Sequence, residues 1–409
     1  MANLSGPVTL TRLKRALRPR VRPRNYIFLK DVLLLALTAF GGPQAHIAMM
    51  FRLMVEKRRY LTDKELIELN ALCQILPGPT STQTVTAIGY RIGGPNLAYL
   101  TLLVWIAPGA ILMTLAGLVI SYLHYHDIPL NFTRFIQPMA VGFVGFAAYK
   151  ISFKVVDTKT GIVLMVVSAV IAYFFHSPWV FPLLLLAGGA LTALRFQKQP
   201  HVPDKTLHID WSNFILYAGV LIGAAVLGAT TQLLPVRLFE NFYRNGSLIF
   251  GGGQVLIPLM YTEFVDFKGY LSSEEFLSGF ALIQALPGPV FAFCSYIGAL
   301  TMREYGFWGQ LLGSLVATVG IFLPGTFLIF FVVRFWDQLK KYRVIKASLE
   351  GINAVSSGMV CAAAIMLYHP IESTYLNMGL VAGTFCLLLF TRVPPPVLIL
   401  TGLVAGFIF

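Results

Sequence analysis

The chain has 409 residues, of which 56% are hydrophobic and only 12% are charged, and its mean hydropathy is +0.73. This composition excludes an ordinary soluble domain, and apolar runs of membrane length recur from residue 27 onward. The net charge of +13 favours anionic partners, such as lipid headgroups or small anions. We therefore predict an all-α polytopic membrane protein embedded in a lipid bilayer, with no nucleic-acid partner.

The first 25 residues form a basic tail. Residues 1–24 carry seven Arg or Lys and no acidic residue, which is too basic for a secretory signal. A basic stretch beside a membrane segment is typical of the cytoplasmic side. We therefore expect a cytoplasmic N-terminus.

Two apolar elements near the N-terminus are interrupted in their middle. Residues 27–54 contain Gly41-Gly42-Pro43, and as one helix they would measure roughly 42 Å, too long for a ~30 Å hydrocarbon core. Two half-helices meeting at the glycines fit better. Residues 52–64, with five basic and two acidic residues, also indicate the cytoplasm, so the first element enters the membrane and returns. The second element, residues 65–92, has room to do the same.

The second element contains the sequence QILPGPTSTQT at residues 74–84. Two prolines around a glycine break a helix, and in lipid a break survives only inside protein or beside a wet cavity. Pro79 suits the first position of a new helix. The free amides that follow, with the hydroxyls of Thr80, Ser81 and Thr82, predict a cradle for an anion.

The same motifs recur 210 positions later. The hexapeptide at residues 284–289 repeats five of the six residues of the first Leu-Pro-Gly-Pro motif. At the same offset, residues 40–44 match residues 250–254, and the Tyr-Leu-Thr that begins at Tyr60 matches the Tyr-Leu-Ser that begins at Tyr270. Three matches at one offset indicate a duplication.

The charge pattern predicts that the second copy is inverted. Residues 262–274, the equivalent of residues 52–64, contain three acidic residues and one basic residue. This change of sign is expected if the two segments face opposite sides of the membrane. We therefore predict two homologous inverted (antiparallel) repeats, with helices broken at the Gly-Gly-Pro/Gly-Gly-Gly and Leu-Pro-Gly-Pro motifs. The expected division is a basic cytoplasmic tail at 1–25, a first transporter repeat at 26–196, a linker with a connecting transmembrane helix at 197–235, and a second repeat at 236–409.

Inverted repeats with matching helix breaks are typical of secondary transporters that bind substrate near the bilayer midplane. The breaks offer amides, hydroxyls and carboxamides but no acidic residue, which favours an oxyanion over sodium or a metal ion. We expect no catalytic residue, no metal site and no cofactor. The candidate substrate-binding residues are Gln44, His46, Gln74, Gly78, Pro79, Thr80, Ser81, Thr82, Gln83, Gly252, Gly253, Gln254, Gln284, Gly288 and Pro289.

The sequence FGGPQAHI at residues 40–47, the motif at residues 74–84 and their second-half partners resemble the chromate ion transporter family in its long, two-domain form. The resemblance implies a carrier of the bacterial inner membrane that exports chromate and confers chromate resistance. Sulfate or another divalent oxyanion is the alternative substrate, since both ions are tetrahedral dianions. A coupled proton or counter-anion and a homodimer are left open.

The second half departs from the first at the residues nearest the breaks. Leu256 stands in place of His46, and Val290-Phe291-Ala292 stand in place of Thr80-Ser81-Thr82. We therefore expect the first half to bind the anion and the second half to form an apolar wall.

Other readings remain open from the sequence. A channel for small anions is the nearest rival, while no HExxH or GxSxG motif supports a membrane-embedded enzyme. His46 suits either anion binding, proton transfer or helix packing. Lys30 and Asp31 are expected to pair at the membrane interface.

Overall fold

The computed structural model of the chain describes residues 25–155, 158–175, 177–194, 211–250, 253–333 and 343–408. Within these ranges the secondary structure is helical, without a β-strand. Four helices are long and apolar enough to cross a membrane: Thr80–Tyr125, Ser212–Thr231, Arg303–Val332 and Ala347–Met366. The predicted class, an all-α multi-pass membrane protein, is confirmed. The basic tail at 1–24 and the first part of the predicted linker, to residue 210, lie outside the described residues.

The described part of the first half contains seven α-helices. They are α1 (Asn25–Thr38), α2 (Gly42–Met50, extended by a π-helical segment Phe51–Lys57), α3 (Asp63–Ile75), α4 (Thr80–Tyr125), α5 (Ile136–Val155), α6 (Lys159–Phe174) and α7 (Val180–Ala193). Pro79 was expected to be the first helical residue, but it precedes α4 as the capping residue. Its extended backbone follows from the turn that Gly78 makes just before it.

A connecting helix, α8 (Ser212–Thr231), follows, and the second half then repeats this order. Its helices are α9 (Leu234–Leu248), α10 (Gly253–Tyr261, extended by a π-helical segment Thr262–Phe267), α11 (Ser273–Ala285), α12 (Phe293–Thr301, preceded by a 3₁₀ turn Val290–Ala292), α13 (Gly306–Val332), α14 (Arg343–Met366), α15 (Tyr375–Phe390) and α16 (Pro395–Ile408). Helices α3 and α11 both start with a capping box, formed by Thr62 with Glu65 and by Ser272 with Glu275. Equivalent sequences therefore start equivalent helices.

Helix α4 consists of two helical segments. Gly93 and Gly94 inside it have non-helical backbone angles, with φ of 76° and ψ of −166° at Gly94. Gly306, at the start of α13, adopts nearly the same conformation, with φ of 68° and ψ of −166°. Positive φ is accessible to glycine because it has no Cβ. The short segment after the first Leu-Pro-Gly-Pro motif thus ends at Gly93, and a long helix begins after Gly94.

The segment that follows α2 lies beside α1. An Arg58 nitrogen lies 2.7 Å from an Asp31 oxygen, and the Tyr60 hydroxyl also donates to Asp31. These contacts join the second turn of α1 to the segment after α2. Lys30 was expected to be the partner of Asp31, and this is wrong, because adjacent residues on a helix point in different directions.

Similar ion pairs join α3 and α11 to the ends of the half-helices that follow them. In the first half an Arg91 nitrogen lies 2.6 Å from a Glu65 oxygen. In the second half Arg303 pairs with Glu275. Each pair closes the open end of a hairpin whose tip is the Leu-Pro-Gly-Pro break.

The long segment of α4 connects these two ion pairs. At about 1.5 Å per residue, residues 95–125 measure about 46 Å. The segment starts beside the first pair, because Gly93 and Arg91 belong to the same turn. Near its other end, His124 Nδ1 lies 4.0 Å from Glu275 Oε1 of the second pair.

Helices α12 and α13 pack with their backbones in contact. A Cβ added to Gly298 would overlap the carbonyl oxygen of Gly313, and one added to Gly313 would overlap that of Gly298. Small residues allow this close approach, which strengthens packing in a membrane. The contact fixes the half-helix after the second break against the long helix α13.

We expect Gly298→Val to destabilise the protein by about 1–3 kcal/mol, because the extra atoms overpack this contact. Gly219→Val in α8 is the control, since a Cβ at Gly219 meets nothing within 4 Å. The apparent melting temperature of purified protein should fall for the first variant and change little for the second. Equal melting temperatures for the two variants would contradict the packing role of Gly298.

Candidate functional site

The helix breaks of the two halves bond to one another through their backbones. The Gly78 N–H donates to the Ile249 carbonyl over 2.7 Å, and the Gly288 N–H donates to the Ala39 carbonyl over 2.9 Å. The two bonds are equivalent, since each partner lies 210 positions from its counterpart. Each Leu-Pro-Gly-Pro break thus satisfies a backbone carbonyl at the glycine break of the other half.

Gly78 and Gly288 are required at these tips. Their φ angles are +114° and +112°, a region that side chains with a Cβ rarely adopt. Both also lie against the backbone of a long helix from the other half. A Cβ on Gly78 would lie 3.3 Å from the Cα of Gly325 in α13, and one on Gly288 would lie 3.5 Å from the Cα of Gly109 in α4.

The glycines of the long helices belong to a motif that the sequence reasoning missed. A Pro-Gly pair at residues 108–109 occurs in α4, and a second at residues 324–325 occurs in α13. Both pairs lie inside helices, where proline and glycine are unfavourable. Their presence in the same helix of both halves was the available signal. Each pair receives the broken tip of the opposite repeat.

Two further contacts complete a ring. His46 Nδ1 in α2 lies 3.1 Å from the Ser81 hydroxyl oxygen at the start of α4. In the second half, a Cβ added to Gly253 would lie 3.3 Å from the Cβ of Val290. We call the four connected breaks the break ring: residues 39–42, 76–80, 249–250 with 253, and 286–290.

The helices that start at the break ring have unsatisfied amides. None of the starts of α2, α4 and the 3₁₀ turn before α12 has a side-chain cap. In α4 the first intrahelical bond is donated by Gln83, whose N–H lies 2.9 Å from the Pro79 carbonyl. The N–H groups of Thr80, Ser81 and Thr82 therefore have no acceptor within the helix, although these residues are buried. Buried free amides at the positive end of a helix dipole favour an anion.

Two side chains, Trp105 and His46, pack beside this helix start. The Trp105 indole N–H donates to the Thr82 hydroxyl over 3.1 Å, and its ring meets the His46 ring edge-on, with centroids 5.5 Å apart. His46 is 1% exposed. Its Nε2 makes no hydrogen bond of ordinary geometry with the described residues. A buried nitrogen without a full-strength hydrogen bond is costly, so His46 Nε2 is a candidate for contact with a ligand. Trp105 was not among the site residues expected from the sequence.

Gln83 connects the two halves through its side chain. Its amide nitrogen donates to the Pro77 carbonyl over 2.7 Å and to the Gly325 carbonyl over 3.2 Å. Two carbonyl neighbours fix which end of the amide is the nitrogen. Gln83 was expected to bind substrate, and here its donor group holds the first break against α13.

The remaining candidates are placed less centrally. Gln74 is exposed on α3 and Gln284 is half-buried on α11, each shortly before a break. Pro289 is buried and caps the 3₁₀ turn before α12. Gly252 and the side chains of Gln44 and Gln254 lie outside the described residues. The structure thus brings His46 together with residues 80–82, and leaves Gln74 apart from them.

The sequence matches one known protein family over most of its length. The family model described as Chromate transporter matches residues 27–193 and 236–407. The chain belongs to the chromate transporter family. Both matched segments contain a Leu-Pro-Gly-Pro motif and a glycine break, so the family model includes all four segments of the break ring.

Named relatives within the family cover most of the chain. A probable chromate transport protein of Synechococcus elongatus is 28% identical over 90% of this chain and 92% of its own length. The chromate transport proteins of Cupriavidus metallidurans and Pseudomonas aeruginosa are 26% and 27% identical, over 90% and 81% of this chain and 89% and 78% of their own lengths. No solved structure matches the chain significantly.

We expect Gln83→Leu to destabilise the protein by about 1–3 kcal/mol, because the Pro77 and Gly325 carbonyls lose a buried donor. Gln74→Leu is the matched control, since Gln74 is exposed on the preceding helix. Apparent melting temperatures of the purified variants measure the difference. If both variants have the same apparent melting temperature, the hydrogen bond between Gln83 and α13 does not contribute to stability.

Proposed function

We propose that this protein transports chromate, a tetrahedral oxyanion, across the bacterial inner membrane, with net export that confers chromate resistance. Relatives named chromate transport proteins support the substrate. The observation that carries the proposal is the start of α4, where three buried residues present free amides without a side-chain cap. No Asp or Glu occurs in the segments of the break ring, which suits a negatively charged ligand.

The proposed binding mode follows from the demands of a dianion. A dianion that leaves water needs many donors, because an unmet charge in a low dielectric is very costly. The first half offers the amides of residues 80–82 as donors. Because His46 Nδ1 and the Ser81 hydroxyl bond to each other, a neutral His46 leaves either the Ser81 O–H or its own Nε2–H for the anion, and a protonated His46 leaves both. In this proposal Val290 and Phe291 form the facing apolar wall of the second half.

The proposed architecture is a pair of inverted repeats, at 26–196 and 236–409, joined by the segment 197–235. The two ion pairs at the open ends of the hairpins support it, because they lie at opposite ends of a helical segment about 46 Å long. The segment connects Arg91 and Glu65 with Glu275 and Arg303. Alternating access would then rock one repeat against the other around the break ring.

His46 is the proposed coupling residue. It is the titratable side chain of residues 39–47, and its Nδ1 contacts Ser81. A dianion bound beside the imidazole would favour its protonated form. If a proton is coupled to chromate movement, we expect His46 to bind it beside the anion.

Cysteine labelling tests the inverted topology. Lys57→Cys and Phe267→Cys occupy equivalent exposed positions, each at the end of a π-helical segment. In a background without the four native cysteines, we expect a membrane-impermeant reagent to label Lys57→Cys from the cytoplasmic side. Phe267→Cys should react from the other side. Labelling of both positions from one side would contradict the inverted arrangement.

Transport by Ser81→Ala tests the site. We expect its half-saturation constant for chromate in everted vesicles to rise roughly tenfold or more, since a charge-assisted hydrogen bond is worth about 1.5–3 kcal/mol. Val290→Ala is the control on the facing wall and removes only apolar bulk. An effect at Val290 as large as that at Ser81 would place the substrate elsewhere. Sulfate competition in the same vesicles measures selectivity.

A further inference from the structure

A polar cavity lies between the end of α8, the first turns of α9 and the π-helical segment after α10, and none of its lining residues belongs to the break ring. Its volume is about 300 Å³. Its lining is charged, in contrast to the break ring, and includes Trp179, Arg237, Glu240, Arg244, Glu263 and Lys268.

The charges of this cavity do not balance. Arg244 lies 2.8 Å from Glu263 and 2.9 Å from Glu240, and Lys268 lies 3.0 Å from Glu263. Arg237 is the third cation of the lining, and its side chain donates to Gln232, a neutral residue. Three cations therefore face two carboxylates, and the lining retains one positive charge.

Arg244 also has an unused donor. Its Nη1 is buried and has no hydrogen-bond partner among the described residues, while the guanidinium group lies 5.2 Å from the centre of the Trp179 ring. The ring and the two carboxylates hold the guanidinium in place. A buried cationic N–H without an acceptor is costly, so an acceptor from a ligand would stabilise this arrangement.

The equivalent positions of the first half hold a single ion pair. There, Asp31 neutralises Arg58 at 2.7 Å. At the same offset the second half has Asn241 in place of Asp31 and Lys268 in place of Arg58. Arg244 donates to Asn241 over 3.2 Å. The second half also has Glu240 in place of Lys30 and Glu263 in place of Leu53, while Arg237 and Arg244 replace the apolar Ile27 and Leu34. A network of five charged side chains thus stands where the first half has one ion pair.

We propose that this cavity is a second oxyanion site, in which a tetrahedral oxyanion group accepts hydrogen bonds from Arg244, Arg237 and Lys268. The inference rests on the proposed function, in which the site would hold the anion at one mouth of the pathway before or after the break ring. Arg237 can present a two-donor guanidinium fork to the oxygens of such a group, and Arg244 can add its Nη1. The group is either a free oxyanion or the phosphate of an anionic lipid, since both present the same chemistry.

Binding of radiolabelled chromate to the full chain in phosphatidylcholine nanodiscs tests the proposal. We expect two chromate ions per wild-type chain. Arg237→Gln should weaken one of them about tenfold, since it removes one charged donor from an exposed position. Arg134→Gln is the control, an equal loss of charge at an exposed arginine outside the cavity. Unchanged melting temperatures check that the variants fold.

The outcomes separate this site from the break ring. Ser81→Ala should weaken the other chromate ion and leave the one that depends on Arg237. A single ion sensitive to Ser81 and not to Arg237 would overturn the second site and keep the proposed function. A single ion sensitive only to Arg237 would support the cavity and overturn binding at the break ring. If added phosphatidylglycerol displaces chromate from the wild-type cavity but not from the break ring, the cavity holds lipid phosphate.

Discussion

A helix that is broken inside a membrane leaves backbone N–H and C=O groups that lipid cannot satisfy. In this protein the two halves meet this requirement for each other. Gly78 donates to Ile249, and Gly288 donates to Ala39. The breaks therefore depend on one another, and a half that unfolds would leave the breaks of its partner without their acceptors or donors. The break ring follows from this exchange of hydrogen bonds.

The same exchange explains the glycines of the long helices. A tip with two prolines can approach another backbone only where no Cβ intervenes, and Gly109 and Gly325 provide that space. Because the tips are held so closely, the free amides after Pro79 stay buried in the middle of the molecule. A site made of backbone amides needs this support, since no side chain caps the helix start.

The breaks could be predicted from the sequence because their signals are local. Proline and glycine act on the residues next to them, so the ends of α1, α3, α9 and α11 follow from a few letters each. The contacts that build the site are not local. Trp105 lies 23 residues from Thr82 and Gly325 lies 242 residues from Gln83, and no periodicity connects them. The partner of Asp31 was mistaken for the same reason, since Arg58 reaches it only after the chain returns through α2.

The two halves keep the same breaks but differ in the side chains beside them. The breaks rest on backbone bonds, which need only glycine and proline, so a duplication can preserve them in both halves. In the proposed binding mode, a single anion between the halves does not need the same donors from both sides. Phe293 stands in place of Gln83 and Leu256 in place of His46, and both are buried. An apolar wall keeps water out and the local dielectric low, which strengthens each hydrogen bond from the donor side. The charged cavity lined by Arg237, Arg244 and Lys268 also belongs to the second half, and it is the second oxyanion site that we propose.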